Sequence, residues 1–147
     1  MTKKRIIIGG IVLVVIITAL YAWYEYNRTI PGLADVQADY SVNATALINE
    51  FVTNETTANK KYLNKILSVK GLVKKIEHNG ASGIVVLGDT TDMSSVRCLF
   101  DSAATAATSA LQPGQAATVK GAITGFNKDE TGLLGSDVQL NRCVIAN

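Results

Sequence analysis

The chain has 147 residues, with 14 Lys and Arg against 12 Asp and Glu, one His and two Cys; that length holds one core of about 100 residues plus an appendage. Lys3, Lys4 and Arg5 precede a long apolar run, and from Asn27 to Asn147 the charges balance at eleven of each sign. A neutral domain argues against nucleic-acid binding, whose affinity comes largely from neutralising phosphates.

Residues 1–5 form a basic tail, and Ile6 to Tyr24 (IIIGGIVLVVIITALYAWY) follow as 19 residues without a charge. At 1.5 Å per residue, a helix of that length roughly matches the hydrocarbon of a bilayer. Trp23 and Tyr24, with Tyr21 and Tyr26, end the run in rings suited to the membrane–water interface. The sequence therefore predicts a transmembrane helix over 6–26, anchored from Ile6 to Trp23 and Tyr24, with the lipid bilayer as its first partner. Basic residues stay on the cytoplasmic side, so the C-terminal domain is expected to be exported, into the periplasm in a Gram-negative cell. A cleaved secretory signal shares the basic start and apolar core. Its usual core is shorter, however, no small-x-small site follows Thr18-Ala19-Leu20 cleanly, and the two cysteines, Cys98 and Cys143, are not placed as a lipobox.

Residues 27–39 lack sustained periodicity and contain Pro31-Gly32, as in a linker. Residues 40–64 form a helical lead-in. Ala44, Leu47, Ile48, Phe51, Glu55, Ala58 and Tyr62 recur at steps of three or four, Ser41 or Asn43 can cap the start, and Thr53-Asn54 can split the segment into two short helices.

From residue 65 to 147 the period becomes two. Five runs rich in β-branched residues, Ile66 to Glu77, Gly83 to Gly88, Ser95 to Asp101, Ala116 to Phe126 and Ser136 to Ile145, are separated by turn chemistry. Between the third and fourth lies the alanine-rich stretch Ser102 to Leu111, halted by Gln112-Pro113-Gly114. Three strands, a helix and two strands is the order of an OB-fold barrel, an all-β architecture here carrying helical additions. Gly71 and Gly121 sit at the centres of the first and fourth runs, where a small barrel must bend its strands. Leu67, Val69, Val73, Val85, Leu87, Val96, Phe100, Val119, Ile123, Val138 and Leu140 keep one phase of the alternation and are expected to fill the interior. A β-sandwich could carry the same residues.

Residues Tyr40 to Asn147 resemble the tRNA_anti-like family of OB-fold proteins, found in bacterial envelopes behind membrane or lipoprotein anchors. The pieces that match are Leu47, Phe51, Asn54-Glu55, Ala58 and Lys61-Tyr62, then Val69-Lys70-Gly71-Leu72-Val73, Val96-Arg97-Cys98-Leu99-Phe100, Gly114 with Val119-Lys120-Gly121, and Val138-Gln139-Leu140-Asn141-Arg142-Cys143. These are core and turn positions. The resemblance implies a fold and no established activity, so it carries no functional residues over.

The inventory for chemistry is thin. His78, in the turn-forming string Glu77-His78-Asn79-Gly80, reads as a surface residue, and Asp89 with Asp92 is short of the six to eight oxygens of a calcium site. Cys98 and Cys143, without a second pair or a histidine cluster, cannot build a structural zinc site. Cys98 shares the inward phase of Val96 and Phe100, and the OB order lays the last strand beside it. A disulfide between Cys98 and Cys143 is possible in an oxidising compartment, and two buried thiols are the alternative. Simple alternation from Leu140 would turn Cys143 outward; a bulge at Asn141-Arg142 would turn it back. No enzyme, cofactor or metal is expected. The second and third barrel strands hold one ring, Phe100, in phase with the core, so a base-stacking platform is missing. Lys60, Lys61, Lys65, Lys70, Lys74 and Lys75 make a basic stretch that reads as a solvated face. The expected role is a membrane-anchored module for protein–protein interaction or assembly in the cell envelope. Binding of a small ligand or oligosaccharide in the barrel groove is the alternative, and nucleic acid ranks below both.

Overall fold

The computed structural model describes residues 14–23, 33–80 and 82–146, in two units divided between Gly32 and Leu33. In the first, residues 14–23 form helix α1, whose valine, isoleucine and leucine side chains are exposed. Its ten residues amount to about 15 Å, half of a bilayer's hydrocarbon. Among the described residues, no helix is long and apolar enough to cross a membrane, so the expected transmembrane helix is not supplied by them. Trp23 is the last described residue of α1, and the other expected anchors, Ile6 and Tyr24, lie outside the described residues.

The second unit starts with a segment read as linker, and its described part is docked. Lys120 Nζ donates to the carbonyls of Ala34 and Val36 at 2.9 Å. The Asp39 N–H donates to the Ile66 carbonyl at 2.7 Å, and the Ile66 N–H returns a bond to Asp39 Oδ2 at 2.9 Å. The chain then forms a short strand, β1 (Tyr40–Asn43), parallel to the start of the first barrel strand. A helical stripe beginning at Ala44 could not announce it: four residues carry too little alternation, and the partner lies 27 residues further on.

Helices α2 (Ala44–Thr53) and α3 (Glu55–Tyr62) follow, broken where Thr53-Asn54 indicated. Asn43 caps α2 by accepting from the Thr45 N–H. Asn54 serves both helices, its side chain accepting from Thr57 N–H and its own N–H donating to the Glu50 carbonyl. Of the expected stripe, Ala44, Leu47, Ile48, Phe51, Ala58 and Tyr62 are buried, whereas Glu55 is exposed in the first turn of α3, where a carboxylate complements the helix dipole.

The barrel strands are β2 (Ile66–Asn79), β3 (Ser82–Leu87), β4 (Ser95–Phe100), β5 (Ala116–Asn127) and β6 (Asp137–Ala146). They run in the order β2-β3-β4-β6-β5, and β2–β5 pairing closes the ring. Only β4 and β6 are parallel within it. This is the OB arrangement, with β1 as an extra edge strand. Helix α4 (Ser102–Thr108) links β4 to β5. It stops before Leu111, whose N–H closes a three-residue turn onto Thr108, because Pro113 withdraws a donor and disfavours helix just ahead of it.

All eleven positions expected in the interior are fully buried. Phe51, Ala58 and Tyr62 extend the same core beneath the helices, with Phe51 against Phe126 at 5.1 Å between ring centres. The central glycines serve close approach. A Cβ on Gly71 would lie 2.8 Å from Ala44 Cβ, and one on Gly121 would lie 2.7 Å from Cys143 Sγ. Cys143 faces inward through the bulge that alternation alone required. Lys120 pairs with Val144 and Ala122 with Asn141, leaving Arg142 and Cys143 opposite Gly121, and Arg142 takes the left-handed conformation at φ 55°.

Candidate functional site

OB barrels use the outer face of their second and third strands for ligands, here β3 and β4. The registers align two rows across that face. Lys75, Val86, Arg97 and Gln139 form one, and Glu77, Ile84 and Leu99 the other. Glu77 stands between two cations, with Oε1 3.0 Å from Lys75 Nζ and Oε2 3.3 Å from an Arg97 guanidinium nitrogen. The Lys75 hydrogen bond and charge, then Arg97, hold its carboxyl below the usual range. A shallow depression of about 170 Å³ lies alongside, lined by Ile84, Arg97, Leu99, Gln139, Leu140 and Asn141. Its floor is aliphatic and its rim polar. Phe100, the one ring on these strands, is fully buried in the barrel.

A larger depression, about 310 Å³, lies in the elbow between α2 and α3, but its charged group is already satisfied. Glu50 accepts from Lys61 Nζ at 2.9 Å and from the Tyr62 hydroxyl at 3.0 Å, and the Lys61 bond leads in lowering its pKa. Lys61 also lies 4.5 Å from the Tyr62 ring centre. This cluster clamps α2 to α3, so the β3–β4 face is the better candidate.

The residues singled out in the sequence do not gather into a reactive centre. His78 is exposed near the end of β2, opposite Gly83. Asp89 and Asp92 each close a local turn, accepting from the N–H groups of Thr91 and Ser94. Among the described residues, no three His, Cys, Asp or Glu side chains could hold a metal ion. The basic stretch disperses: Lys61 goes to Glu50, Lys75 to Glu77, and Lys74, displaced by a bulge in β2, donates to the carbonyls of Asp92 and Ser94. Cys98 and Cys143 are buried free thiols. The hydrogen bond with Cys98, then burial, pushes the Cys143 thiol up, which keeps it from acting as a ready nucleophile.

The family assignment follows from this fold together with the match of the tRNA_anti-like family over residues 1–136. The chain belongs to the tRNA_anti-like family. Among solved structures, this tRNA_anti-like protein is similar to a lipoprotein from Klebsiella pneumoniae provisionally described as nucleic acid-binding. The two share 21% identity with a TM-score of 0.57, over 72% of this chain and 91% of that one. An aspartyl-tRNA synthetase from Entamoeba histolytica matches at 12% identity and a TM-score of 0.48, over 76% of this chain and 25% of that one. An OBody solved with hen egg-white lysozyme matches at 15% and 0.43, over 59% of this chain and 86% of that one. At such identities the likeness bears on the fold alone. No curated protein matches the sequence.

Two features of the site escaped the sequence. The Glu77–Arg97 pair joins residues 20 apart and depends on the register of three strands. The loop between β5 and β6 is organised by Asp129, whose Oδ1 accepts from the Thr131 N–H and hydroxyl and whose Oδ2 accepts from the N–H groups of Leu134 and Gly135. The Asp-x-Thr spacing was the available signal for that turn.

Proposed function

We propose that this tRNA_anti-like protein is a non-enzymatic binding module, tethered to a membrane through residues 6–24, that takes a partner protein of the cell envelope on the outer face of β3, β4 and β6. The observation that carries the reading is the state of that face: an aliphatic floor of Ile84 and Leu99, with both nearby cations held by Glu77. Apolar centres with a polar rim and an arginine suit protein interfaces. The depression is smaller than the roughly 300–1,000 Å³ of most small-molecule sites. The tether and its topology rest on the charge-free run from Ile6 to Tyr24 behind Lys3-Lys4-Arg5.

Affinity purification of the full chain from detergent-solubilised membranes, beside Leu99→Asp, tests the assignment. A co-purifying protein is expected with the native chain and lost from the folded variant. Equal recovery by both would move the interface elsewhere, and recovery of neither would remove the reading. Nucleic acid is the second reading, favoured by the description of the Klebsiella pneumoniae lipoprotein. Filter binding of RNA and single-stranded DNA at moderate salt decides it. On this face a phosphate must compete with Glu77 for each cation, and no base finds a ring.

A further inference from the structure

At one place this soluble-looking barrel shows water its least soluble side chains. Met93 is 64% exposed, Leu133 72% and Leu134 81%, the three most exposed large apolar residues of the unit Leu33–Asn147. They come from two loops that touch, 88–94 and 128–136. The Ser136 N–H donates to Ser94 Oγ, the Ser95 N–H donates to the Ser136 carbonyl, and Gly135 lies so close to Met93 that a Cβ there would collide with its backbone. Neither loop is free to fold its apolar residues away. The Asp129 carboxylate ties down Thr131, Leu134 and Gly135, and Lys74 holds the carbonyls of Asp92 and Ser94. A rigid tip with two adjacent leucines and a methionine is built to enter an apolar medium.

We infer that Met93, Leu133 and Leu134 dock into the interfacial layer of the bilayer that holds the N-terminal run. This rests on the tether proposed above. Covalent geometry favours lipid over a protein as occupant, since eight residues separate Tyr24 from Leu33, and even fully extended they reach only about 30 Å. A domain on so short a tether meets the surface at high effective concentration, so weak insertion suffices. The two loops carry Lys128 against Asp89, Asp92, Asp129 and Glu130, so the attraction is apolar rather than electrostatic.

The chain's one tryptophan is Trp23, which permits a direct test. The full chain carrying Trp23→Tyr and Leu134→Trp is reconstituted into phosphatidylcholine vesicles and floated. The introduced tryptophan is expected to emit to the blue of its position in detergent-free buffer for the unit 33–147, and to be quenched by brominated acyl chains. Vesicles that float with a water-like, unquenched emission overturn the docking while leaving the tether intact. Native chain that does not float overturns the tether. The unit 33–147, which contains the entire core, then tests the tip alone on nickel-chelating vesicles through an N-terminal histidine tag. Insertion there should weaken about tenfold for each of Leu133→Ser and Leu134→Ser. No change in either variant refutes the docking.

Discussion

Gly121→Ala isolates the tightest joint in the barrel. Gly121 pairs with Leu67 on β2 and faces the bulge of β6, where its missing Cβ leaves room for Cys143. An added methyl would sit 2.7 Å from Cys143 Sγ and 3.1 Å from Leu140 Cβ and Cδ2. Both neighbours are buried, and Arg142 fixes the bulge in a left-handed conformation, so the sulfur cannot swing clear. Overpacking of this kind costs about 1 to 3 kcal/mol, or a fall in Tm of about 4 to 12 °C for a unit of this size. Because Gly121 is not in the left-handed region, the cost is steric, and shortening the opposing side chain should relieve it. In a cycle with Cys143→Ala, the methyl should cost at least about 1 kcal/mol less than in the native background, measured by urea denaturation. Leu140 keeps the relief partial. Additivity within about 0.5 kcal/mol would show that the sulfur is not what glycine accommodates.

Two further outcomes follow from the same core and loops. Val119→Asp should unfold the barrel, since an unpaired carboxylate at a fully buried position costs several kcal/mol against a margin of about 5 to 15; a native circular dichroism spectrum and Tm would overturn the strand assignment. Asp129 should make the 128–136 loop acid-sensitive. Its folded pKa is depressed, by the Thr131 hydroxyl first and then the Leu134 N–H, so its stabilisation is complete above the unfolded pKa of about 3.9 and fades as pH falls toward the folded value. Amide resonances of Leu134 and Gly135 should therefore hold still down to about pH 4 and move together only well below it, as the carboxylate takes up a proton in the folded state. Asp129→Asn, whose amide nitrogen cannot accept, should show the loosened state at neutral pH, and native-like shifts in that variant would refute the role.

The interior was legible because a closed barrel imposes one rule on every strand. Leu67, Val119 and Leu140 are buried for the same reason, a period of two with one face sealed. Cys143 breaks the period, and its inward turn followed only once the bulge was invoked. β1 was not legible. Its four residues are held by hydrogen bonds to β2 rather than by a pattern of their own. The docking of residues 33–39 was hidden likewise, since it depends on Lys120 reaching the carbonyls of Ala34 and Val36, 84 or more residues away. Composition indicated a linker over 27–39, and within it the carbonyls of Ala34 and Val36 meet the Lys120 ammonium group.

The ligand face shows why charge counting and charge placement answer different questions. The sequence offered a run of lysines, and the neutral balance discounted it only on average. The fold engages three of the six lysines in the run. Lys61, Lys74 and Lys75 each spend their donors within the protein, and Glu77 takes up Arg97 as well. A face whose cations already sit beside a carboxylate attracts a polyanion less, because Glu77 offsets part of their charge. It loses nothing to an apolar partner, which can cover Ile84 and Leu99 while the ion pairs remain at the rim in water, where such pairs are weak and cheap to keep. The same carboxylate that makes the face a poor electrostatic trap leaves its aliphatic floor as the feature a partner can use.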